Sequence, residues 1–340
     1  MLIVSSVIGA GFASGREIIS FFSSPTSIII APLIGVGIFL ISSLFLHIGS
    51  KLNTNCLTTV NKALLGKAHF AGDGFLLANS LIVLSAMFAG FSALGNMFLD
   101  VPIVFPLIAA VLCVLIVYTG TKGLLKVNRF LMPVVIISLV AISIVSMQGR
   151  DSYSSNGNGV FGFQTIGFLF LYLSMNMLLA STVLTTMGKI SKKEVFISSA
   201  LAGVFLGILT LFLVIALNRY DVSNVELPLL YIAGQMHLSI YIIVIAVLAI
   251  SILTTMFIAM NALVAWINNI FKNRLYSSIL VLLIAISLSN LGFSGVVRFL
   301  YPVIGVLGLT YITAGIIFVI RQKRMTNQLQ MTEKCDKLNK

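Results

Sequence analysis

Charged side chains are scarce in this chain, where Asp, Glu, Lys and Arg together make up 9% of 340 residues. A soluble domain carries roughly a quarter of such residues. Hydrophobic residues make up 59% of the chain, and one globular core could not bury so many, because cores stop growing as chains lengthen. The shortage of charge therefore excludes an ordinary soluble protein. It predicts an all-α protein whose outer surface contacts membrane lipid.

Cysteine and histidine are also rare, with three residues of each. The cysteines, Cys56, Cys113 and Cys335, are far apart and match neither a disulfide framework nor a metal site. The segment 292–295 looks like the Gly-x-Ser-Gly motif of rhomboid proteases, but no histidine follows His237 to act as its base. The chain also lacks an HExxH motif and a phosphate-binding loop. We therefore predict that the protein is neither an enzyme nor a nucleotide-driven pump, and that it uses no cofactor other than a coupling ion.

Long apolar runs occupy most of the remaining sequence. About 20 residues of helix are needed to cross the hydrocarbon core of a bilayer, which is about 30 Å thick. By this criterion we predict about ten transmembrane helices in a multi-pass protein of the cell membrane. The predicted spans are 2–22, 28–50, 74–99, 102–120, 128–148, 163–187, 195–217, 229–266, 276–291 and 297–320.

The basic residues support this division into spans. Lys and Arg concentrate after the second, fourth, sixth and eighth runs and at the start of the tail, 321–324. If the N-terminus is inside, all five segments lie on one side of the membrane, as the positive-inside rule requires. The formal net charge of +12 is therefore assigned to topology and not to a nucleic-acid partner. Both termini are predicted to lie in the cytoplasm.

The fifth and tenth runs begin with nearly the same sequence. The segments VNRFLMPV at 127–134 and VVRFLYPV at 296–303 share six of eight residues and lie about half the chain apart. A duplicated unit of five spans would explain this, and an odd number of spans inverts the second copy. We predict inverted units at 1–148 and 163–320, followed by a cytoplasmic tail at 321–340. Such repeats are typical of secondary transporters, although chance similarity between apolar segments would give the same match.

Glycine is concentrated inside the first run, at Gly9, Gly11 and Gly15. Each glycine destabilises a helix interior by about 1 kcal/mol relative to alanine, so the cluster predicts a break. Unpaired peptide groups at membrane depth are tolerated only where they are buried in protein or line a wet cavity. There they can bind a cation or a substrate carboxylate. The alternative is that these small residues only allow helices to pack closely.

The same segment resembles a known family. The sequence VIGAGFASG at 7–15, followed by Glu17, Phe21 and Phe22, is similar to the YkvI-type membrane proteins, which are related to the amino acid–polyamine–organocation superfamily of amino-acid permeases. The resemblance extends over nearly the whole chain. It implies the five-plus-five inverted-repeat fold of the leucine transporter. Substrate and often Na⁺ would then bind where the first and sixth helices are unwound.

By position, the resemblance implies a sodium site between the first and eighth helices. The carbonyl groups of Ser5 and Ile8 would lie near hydroxyls of Ser251, Thr254 or Thr255. Such oxygen ligands suit a hard cation. The alternative is that these hydroxyls bond to carbonyl groups one turn earlier in their own helix.

The resemblance also implies a substrate site between the first and sixth helices. The predicted residues are Gly9, Ala10, Gly11, Phe12, Ala13, Ser14, Gly15 and Asn176. The middle of the sixth run lacks the Gly or Pro that would break it. Asn176 would bind substrate or bridge two helices, while Asn79 is expected only to bridge helices.

Arg16 and Glu17 are adjacent charges within the first predicted span. Ionisable residues inside a membrane suggest a function, so we assign this pair a gating or coupling role. Glu17 would suit a coupled proton. The alternative is that the two side chains pair locally or extend to the membrane surface.

Together these features predict an ion-coupled symporter that moves an amino acid or similar small solute by alternating access. The coupling ion would be Na⁺ or H⁺, and a pocket lined by Phe12 and by Met or Phe would favour an apolar side chain. The alternative is a channel or a non-transporting receptor with the same fold. No span shows the continuous polar stripe that a pore requires, and the tail is too short for a signalling domain.

Overall fold

The computed structural model describes residues 2–22, 26–54, 57–99, 104–119, 121–146 and 162–338. Within these ranges the regular elements are all helices, and no strand occurs among them. Cys56, the start of the fourth predicted span at 102–103 and the end of the fifth at 147–148 lie outside the described residues. The predicted all-α class is confirmed.

The helices are numbered in chain order. They are α1 (Leu2–Val7), α2 (Ala10–Ser14), α3 (Arg16–Phe22), α4 (Ile30–Leu52), α5 (Leu57–Leu65), α6 (His69–Leu99), α7 (Val104–Thr119), α8 (Thr121–Ser146), α9 (Phe163–Leu184), α10 (Lys192–Leu217), α11 (Pro228–Gly234), α12 (Leu238–Phe271), α13 (Arg274–Ser289), α14 (Gly292–Gly295) and α15 (Tyr301–Leu338). A 3₁₀ turn at Gly66–Ala68 joins α5 to α6, and a π-helical turn at Val296–Leu300 joins α14 to α15.

Within the described residues, six helical segments are long and apolar enough to cross a membrane. They are Ile30–Leu52, Leu57–Asn96, Phe163–Leu184, Lys192–Leu217, Leu238–Asn268 and Gly292–Arg324. Shorter apolar helices occur at Val104–Leu115, Pro133–Ser146 and Arg274–Ser289. In the described part of the chain, each of these segments overlaps one predicted span. The first predicted span differs, because it is divided among α1, α2 and α3.

Polar caps determine where several helices begin. Ser191 and Glu194 form a reciprocal capping box at the start of α10, with bonds of 3.2 and 3.0 Å between side chain and amide. At the start of α13, the side chain of Asn273 accepts a hydrogen bond from the Tyr276 amide. These caps explain why both helices start a few residues before the apolar runs that mark them in the sequence.

The eighth predicted span is divided into two helices. Pro228 occupies the first turn of α11, where its missing N–H is not needed. The chain leaves the helix after Gly234, and the ring of His237 then caps the start of α12. The segment Pro228–Gly234 is therefore a separate short helix, and α12 alone forms the long span.

Two helix pairs pack with their backbones in close contact. A β-carbon built on Gly35 of α4 would lie 2.7 Å from the carbonyl oxygen of Gly203 on α10. A β-carbon on Gly305 of α15 would lie 2.7 Å from the carbonyl oxygen of Leu171 on α9, and the Ser174 hydroxyl donates to the Gly305 carbonyl at 2.6 Å. Only glycine permits such an approach. Helix α9, which also contacts α1 and α3, is thereby bonded to α15.

The tenth predicted span is longer in the structure than in the sequence analysis. Pro302 has no N–H to donate to the carbonyl one turn earlier, and the π-helical turn that changes this bonding pattern ends at Leu300, two residues before it. At its other end, α15 continues through most of the predicted tail to Leu338.

Candidate functional site

The first predicted span is broken twice. Helix α1 ends at Val7, and Gly9 has extended backbone angles, with φ −98° and ψ −178°. Gly15 ends α2 with φ 78°, in the left-handed region that residues with a β-carbon rarely occupy. The break that the glycine cluster predicts is therefore present in the structure.

The first break leaves a backbone acceptor unpaired. The Gly9 amide donates to the Val7 carbonyl and the Ala13 amide donates to the Gly9 carbonyl, each at 2.9 Å. Among the described residues, no backbone amide donates to the carbonyl of Ile8. This carbonyl is therefore available to a hydrogen-bond donor or a cation.

A small internal cavity of about 50 Å³ borders the break and is called here the central cavity. Its lining residues are Ser6, Val7, Gly9, Ala10, Gly11, Glu17, Asn79, Val83, Met87, Met175, Asn176, Leu179, Thr255 and Tyr301. They come from the first span, α6, α9, α12 and α15. Predicted site residues among them are Gly9, Ala10, Gly11, Glu17, Asn176 and Thr255. Residues far apart in the sequence thus meet beside the broken helix.

Glu17 supplies a carboxyl group to the central cavity. Its side chain is 5% exposed, and its Oε2 atom has no hydrogen-bond partner. Its Oε1 atom lies where a β-carbon on Gly11 would be, so the carboxyl group reaches this position only because residue 11 is glycine. No Lys, Arg or His is present among the described residues that line the cavity. The described part of the cavity wall therefore provides no basic counter-ion.

Two asparagines from different helices line the same cavity. The Asn176 side-chain nitrogen donates to the Tyr172 carbonyl at 3.0 Å, which leaves its amide oxygen as a hydrogen-bond acceptor. The Asn79 side-chain nitrogen is buried without a partner. Asn79 thus lies at the cavity with an unpaired donor, which differs from the helix-bridging role expected for it. An acceptor and a donor on opposite helices could bind a solute that carries both kinds of group.

Arg16 extends away from the central cavity toward the segment 218–227, which connects α10 to α11. Its Nη1 atom donates to the carbonyl oxygens of Ser223 and Val225, each at 2.9 Å. The side chain is buried, so it does not extend to a membrane surface. Arg16 and Glu17, although adjacent in sequence, therefore serve different parts of the structure.

Glu226 lies in the segment 218–227 and interacts both with Arg16 of α3 and with α14. Its carboxyl group accepts hydrogen bonds from the backbone amides of Phe293 and Ser294 and is attracted by Arg16. Burial raises the pKa of the Glu226 carboxyl from its usual 4.5, while the attraction of Arg16 and the two amide bonds oppose this rise. The segment 218–227 is thus held to the first span and to α14 at the same end of the helix bundle.

The structure brings the predicted sodium-site residues only partly together. The hydroxyls of Thr254 and Thr255 donate to the Ser251 carbonyl at 3.0 and 2.9 Å, which is the own-helix bonding considered as the alternative. The Ser251 hydroxyl is buried without a partner. Ser5 and Ile8 lie in the first span, whose α2 segment contacts α12. A hydroxyl that donates one hydrogen bond keeps its lone pairs, so these groups can still coordinate a cation.

The structure corrects the implied break in the sixth helix. Helix α9 is continuous from Phe163 to Leu184. No Gly or Pro occurs from Phe168 to Leu184, and the Asn176 side chain bonds back to its own helix. Among the described residues, unwound backbone at the cavity comes from the first span alone, while α9 contributes side chains.

Several predicted substrate-site residues lie behind the cavity wall. They are Phe12, Ala13, Ser14 and Gly15, all buried. The Ser14 hydroxyl donates to the Gly11 carbonyl at 2.9 Å and accepts from the Arg16 amide at 3.3 Å. These residues stabilise the second break, and the apolar wall expected from Phe12 comes instead from Met87, Met175 and neighbours.

Sequence reasoning did not identify Ser6, Asn79 or Tyr301 as cavity residues. Tyr301 had a detectable signal, because it is a tyrosine in the repeated motif where the first copy has Met132. Ser6 and Asn79 had none, because polar residues that bridge helices and polar residues that line a cavity look alike in an apolar run.

Comparisons with known proteins agree with the membrane assignment. No protein-family model matches the chain. The chain is 24% identical over 333 residues to the Bacillus subtilis (strain 168) protein YyaD, which covers 95% of this chain and 96% of YyaD. It is 25% identical over 326 residues to the membrane protein YkvI of the same organism, which covers 92% of each chain. The resemblance to YkvI-type proteins is confirmed.

Two solved structures have a similar fold. MhsT in complex with L-phenylalanine has a TM-score of 0.58 and 16% identity, covering 94% of this chain and 96% of MhsT. Mhp1, a nucleobase-cation-symport-1 family transporter with bromovinylhydantoin bound, has a TM-score of 0.64 and 11% identity, covering 92% of this chain and 76% of Mhp1. Both have the leucine-transporter fold. The chain is a multi-pass helical membrane protein of this fold.

Proposed function

We propose that the chain is a secondary active transporter that couples the movement of an ion to that of an amino acid or similar small zwitterion. The observation that supports this most directly is the broken first span, whose peptide groups border a cavity with Glu17 and two asparagines. The likeness to MhsT with L-phenylalanine and to Mhp1 with a hydantoin supports a small-molecule substrate.

In this proposal the units 1–148 and 163–320 are inverted copies of five spans, with both termini and the tail 321–340 in the cytoplasm. The repeated motif lies in α8 and across the start of α15. Two inverted units can exchange conformations, which opens a site between them first to one side and then to the other. This exchange provides alternating access.

The substrate would bind at the central cavity. The peptide groups of residues 9–11, the oxygen of Asn176 and the nitrogen of Asn79 would contact its polar groups. The side chains of Met87 and Met175 would contact its carbon atoms. Methionine is flexible and adapts to irregular apolar shapes, so this wall favours an apolar side chain without selecting a single one.

The coupling ion would be Na⁺, bound by oxygen ligands between the first span and α12. The Ile8 carbonyl and the Ser251 hydroxyl lack hydrogen-bond donors or partners among the described residues. Thr254, Thr255 and Ser5 would complete the ligand set. Oxygen ligands of this kind suit a hard cation.

Arg16 would hold the external end of the pathway closed. Its two hydrogen bonds to the segment 218–227 join α3 to a connection that the charge pattern places outside the membrane. Opening toward the exterior would require these bonds to break. This assigns the gating role to Arg16 and separates it from Glu17.

Uptake by reconstituted protein tests the proposal. Purified protein in liposomes would be given a panel of labelled amino acids under an imposed Na⁺ gradient, an imposed pH gradient or neither. We expect at least one amino acid to accumulate only with a gradient. Absence of gradient-dependent uptake, together with absence of any amino-acid effect on thermal unfolding, would contradict the transporter.

The ion site is tested by replacing both threonines. We expect Thr254→Ala combined with Thr255→Ala to abolish the Na⁺ dependence of uptake. Thr310→Ala is a matched control, because Thr310 makes the same kind of own-helix bond at an exposed position of α15. An unchanged Na⁺ response in the double variant would remove both threonines from the ion site.

A further inference from the structure

We propose that the Glu17 carboxylate is the counter-ion for an ammonium group of the substrate. The inference rests on the proposed function and deepens it, because it makes a free amine, and not only a carboxylate, a requirement for recognition. The transported class then comprises small amines and amino acids, and it excludes hydroxy acids of the same carbon skeleton.

The first step in the argument is the placement of the carboxyl group. Glu17 is 5% exposed, and its Oε2 atom has no partner in the protein. The carboxyl group lies against Gly11, at the break in the first span, and lines the central cavity. The carboxyl group therefore lies beside whatever occupies the cavity.

The second step concerns charge. An ionised carboxylate that is buried without a counter-ion is strongly unfavourable. No basic side chain is found among the described residues of the cavity wall, and the adjacent Arg16 is bonded to the carbonyls of Ser223 and Val225. Without a positive charge beside it, such a carboxyl group takes up a proton and is neutral. A bound cationic group would allow the Glu17 carboxyl to ionise and would then be its counter-ion.

The third step distinguishes an ammonium group from a bare metal ion. The Asn176 oxygen is a second acceptor at the cavity, since its nitrogen is bonded to Tyr172. The hydroxyl-bearing residues Ser6, Thr255 and Tyr301 also line the cavity, whereas the side chains of Val83, Met87, Met175 and Leu179 give it an apolar wall. A hard cation is normally surrounded by oxygen ligands, whereas an ammonium group carries carbon atoms that can contact such a wall.

The size of the cavity agrees with a head-group subsite. Its volume of about 50 Å³ compares with about 150 Å³ for a cavity that holds benzene. In this conformation the cavity accommodates an ammonium group with few attached atoms, and not a whole large amino acid. The rest of the substrate would occupy space that opens during the transport cycle.

The first test uses the unmodified protein. Uptake of labelled glycine, L-alanine, L-leucine and L-phenylalanine would be measured with competing unlabelled glycolate, L-lactate, L-2-hydroxy-4-methylpentanoate and L-3-phenyllactate. Each competitor replaces the ammonium group by a hydroxyl group. We expect the hydroxy acid to compete at least tenfold more weakly than the amino acid of the same skeleton.

The second test uses Glu17→Gln, which keeps the shape of the side chain and removes its charge. We expect about tenfold to a hundredfold weaker amino-acid binding, as for loss of a hydrogen bond to a charged group. Glu17→Asp, which keeps the charge, should retain discrimination against hydroxy acids. Glu194→Gln is the control, because glutamine also completes the capping box of α10 and the site is far from the cavity.

The outcomes of these tests distinguish a failure of the proposed function from a failure of the assignment of Glu17. If no amino acid is taken up by the unmodified protein, the proposed function itself is wrong. If amino acids are taken up and hydroxy acids compete equally well, only the assignment of Glu17 is overturned. The assignment is also overturned if Glu17→Gln changes the Na⁺ or pH requirement while discrimination persists, because the carboxylate would then bind the coupling ion. The competition test needs no variant, so it can overturn the assignment even if Glu17→Gln fails to fold.

Discussion

At the scale of single residues, the contact between Gly11 and Glu17 controls the lining of the central cavity. A β-carbon on Gly11 would collide with the Glu17 Oε1 atom and lie 2.7 Å from the carboxyl carbon. We expect Gly11→Ala to displace the carboxyl group and to weaken substrate binding about tenfold to a hundredfold, since a hydrogen bond to a charged group contributes about 1.5–3 kcal/mol. Concentration-dependent uptake into liposomes measures this effect.

Gly74→Ala provides the matched control for that substitution. Gly74 is exposed on α6, and a β-carbon there would meet nothing within 4 Å. Its uptake should equal that of the unmodified protein. Equal uptake by the Gly11 and Gly74 variants would show that the position of the Glu17 carboxyl does not matter for binding.

The buried carboxyl group of Glu226 predicts that the stability of the segment 218–227 depends on pH. Burial raises the pKa of its carboxyl on folding, against the attraction of Arg16. The folded state therefore binds the proton of the Glu226 carboxyl more tightly than the unfolded state does. This proton stabilises the folded segment fully at pH values below the ordinary pKa of 4.5, and the stabilisation is lost as pH rises through the pKa of the folded state. We expect hydrogen exchange of residues 218–227, corrected for its intrinsic pH dependence, to accelerate over that interval.

Glu226→Gln should remove this pH dependence. The amide oxygen can still accept hydrogen bonds from Phe293 and Ser294, so the segment keeps its contact with α14. Glu194→Gln, at an exposed carboxyl outside the segment, should leave the dependence unchanged. If the Glu226 variant keeps the pH response, another group is responsible for it.

Residue composition revealed the break but not the complete cavity. Gly9 and Gly15 could be identified because clustered glycine is unusual inside an apolar span, and their conformations follow from the missing side chain. Asn79 could not be assigned, because its function depends on which helix α6 faces. That information lies in the packing of distant spans and not in the local sequence.

At the scale of helices, the crossing of α4 and α10 depends on glycine. A β-carbon on Gly203 would lie 2.6 Å from the carbonyl oxygen of Gly35, and a backbone atom cannot rotate away. We expect Gly203→Ala to destabilise the protein by about 1–3 kcal/mol, as for other overpacked contacts. The midpoint of thermal unfolding in detergent should fall accordingly.

Gly167→Ala is the control for the helix crossing. A β-carbon on Gly167, exposed on α9, would meet nothing within 4 Å. Its unfolding midpoint should stay the same or rise, because alanine favours a helix by about 1 kcal/mol over glycine. A Gly203 variant as stable as the Gly167 variant would show that the two helices can separate at little cost.

The sequence predicted the presence of each long helix better than the residues at which it begins and ends. The apolar runs marked each long helix, because lipid requires a long run of apolar residues. The ends depended on Ser191, Asn273 and Pro228, whose caps and turns move a boundary by a few residues. The continuous α9 disagreed with the family resemblance but agreed with the sequence itself, which has no Gly or Pro in the relevant half.

At the scale of the whole molecule, the charge pattern predicts which connections face the cytoplasm. Cys56, Cys113 and Cys335 would be replaced by serine, and a single cysteine introduced by Asp221→Cys or by Lys193→Cys, both exposed positions. A membrane-impermeant maleimide applied to intact cells should label the cysteine at position 221 and leave the one at 193 unlabelled until the membrane is opened. The reverse pattern would invert the proposed orientation.

The fold of the whole chain was accessible through the resemblance of the segment 7–15 to YkvI-type proteins. The basic connections predict the parity of the spans, and the motif at 127–134 and 296–303 predicts two inverted units; both stay predictions. The arrangement of the cavity was not accessible in this way. It requires Glu17, Asn79, Asn176 and Thr255 to meet, and no sequence pattern encodes that distance.

The first span and α9 flank the central cavity but differ in stiffness. The first span is broken at residues 8–9 and at Gly15, whereas α9 is one continuous helix. A hydrogen bond from Ser174 to the Gly305 carbonyl joins α9 to α15. Of these two elements, only the first span is broken. If the cavity widens during the proposed transport cycle, we expect α1 and α3 to change orientation independently and α9 and α15 to move together.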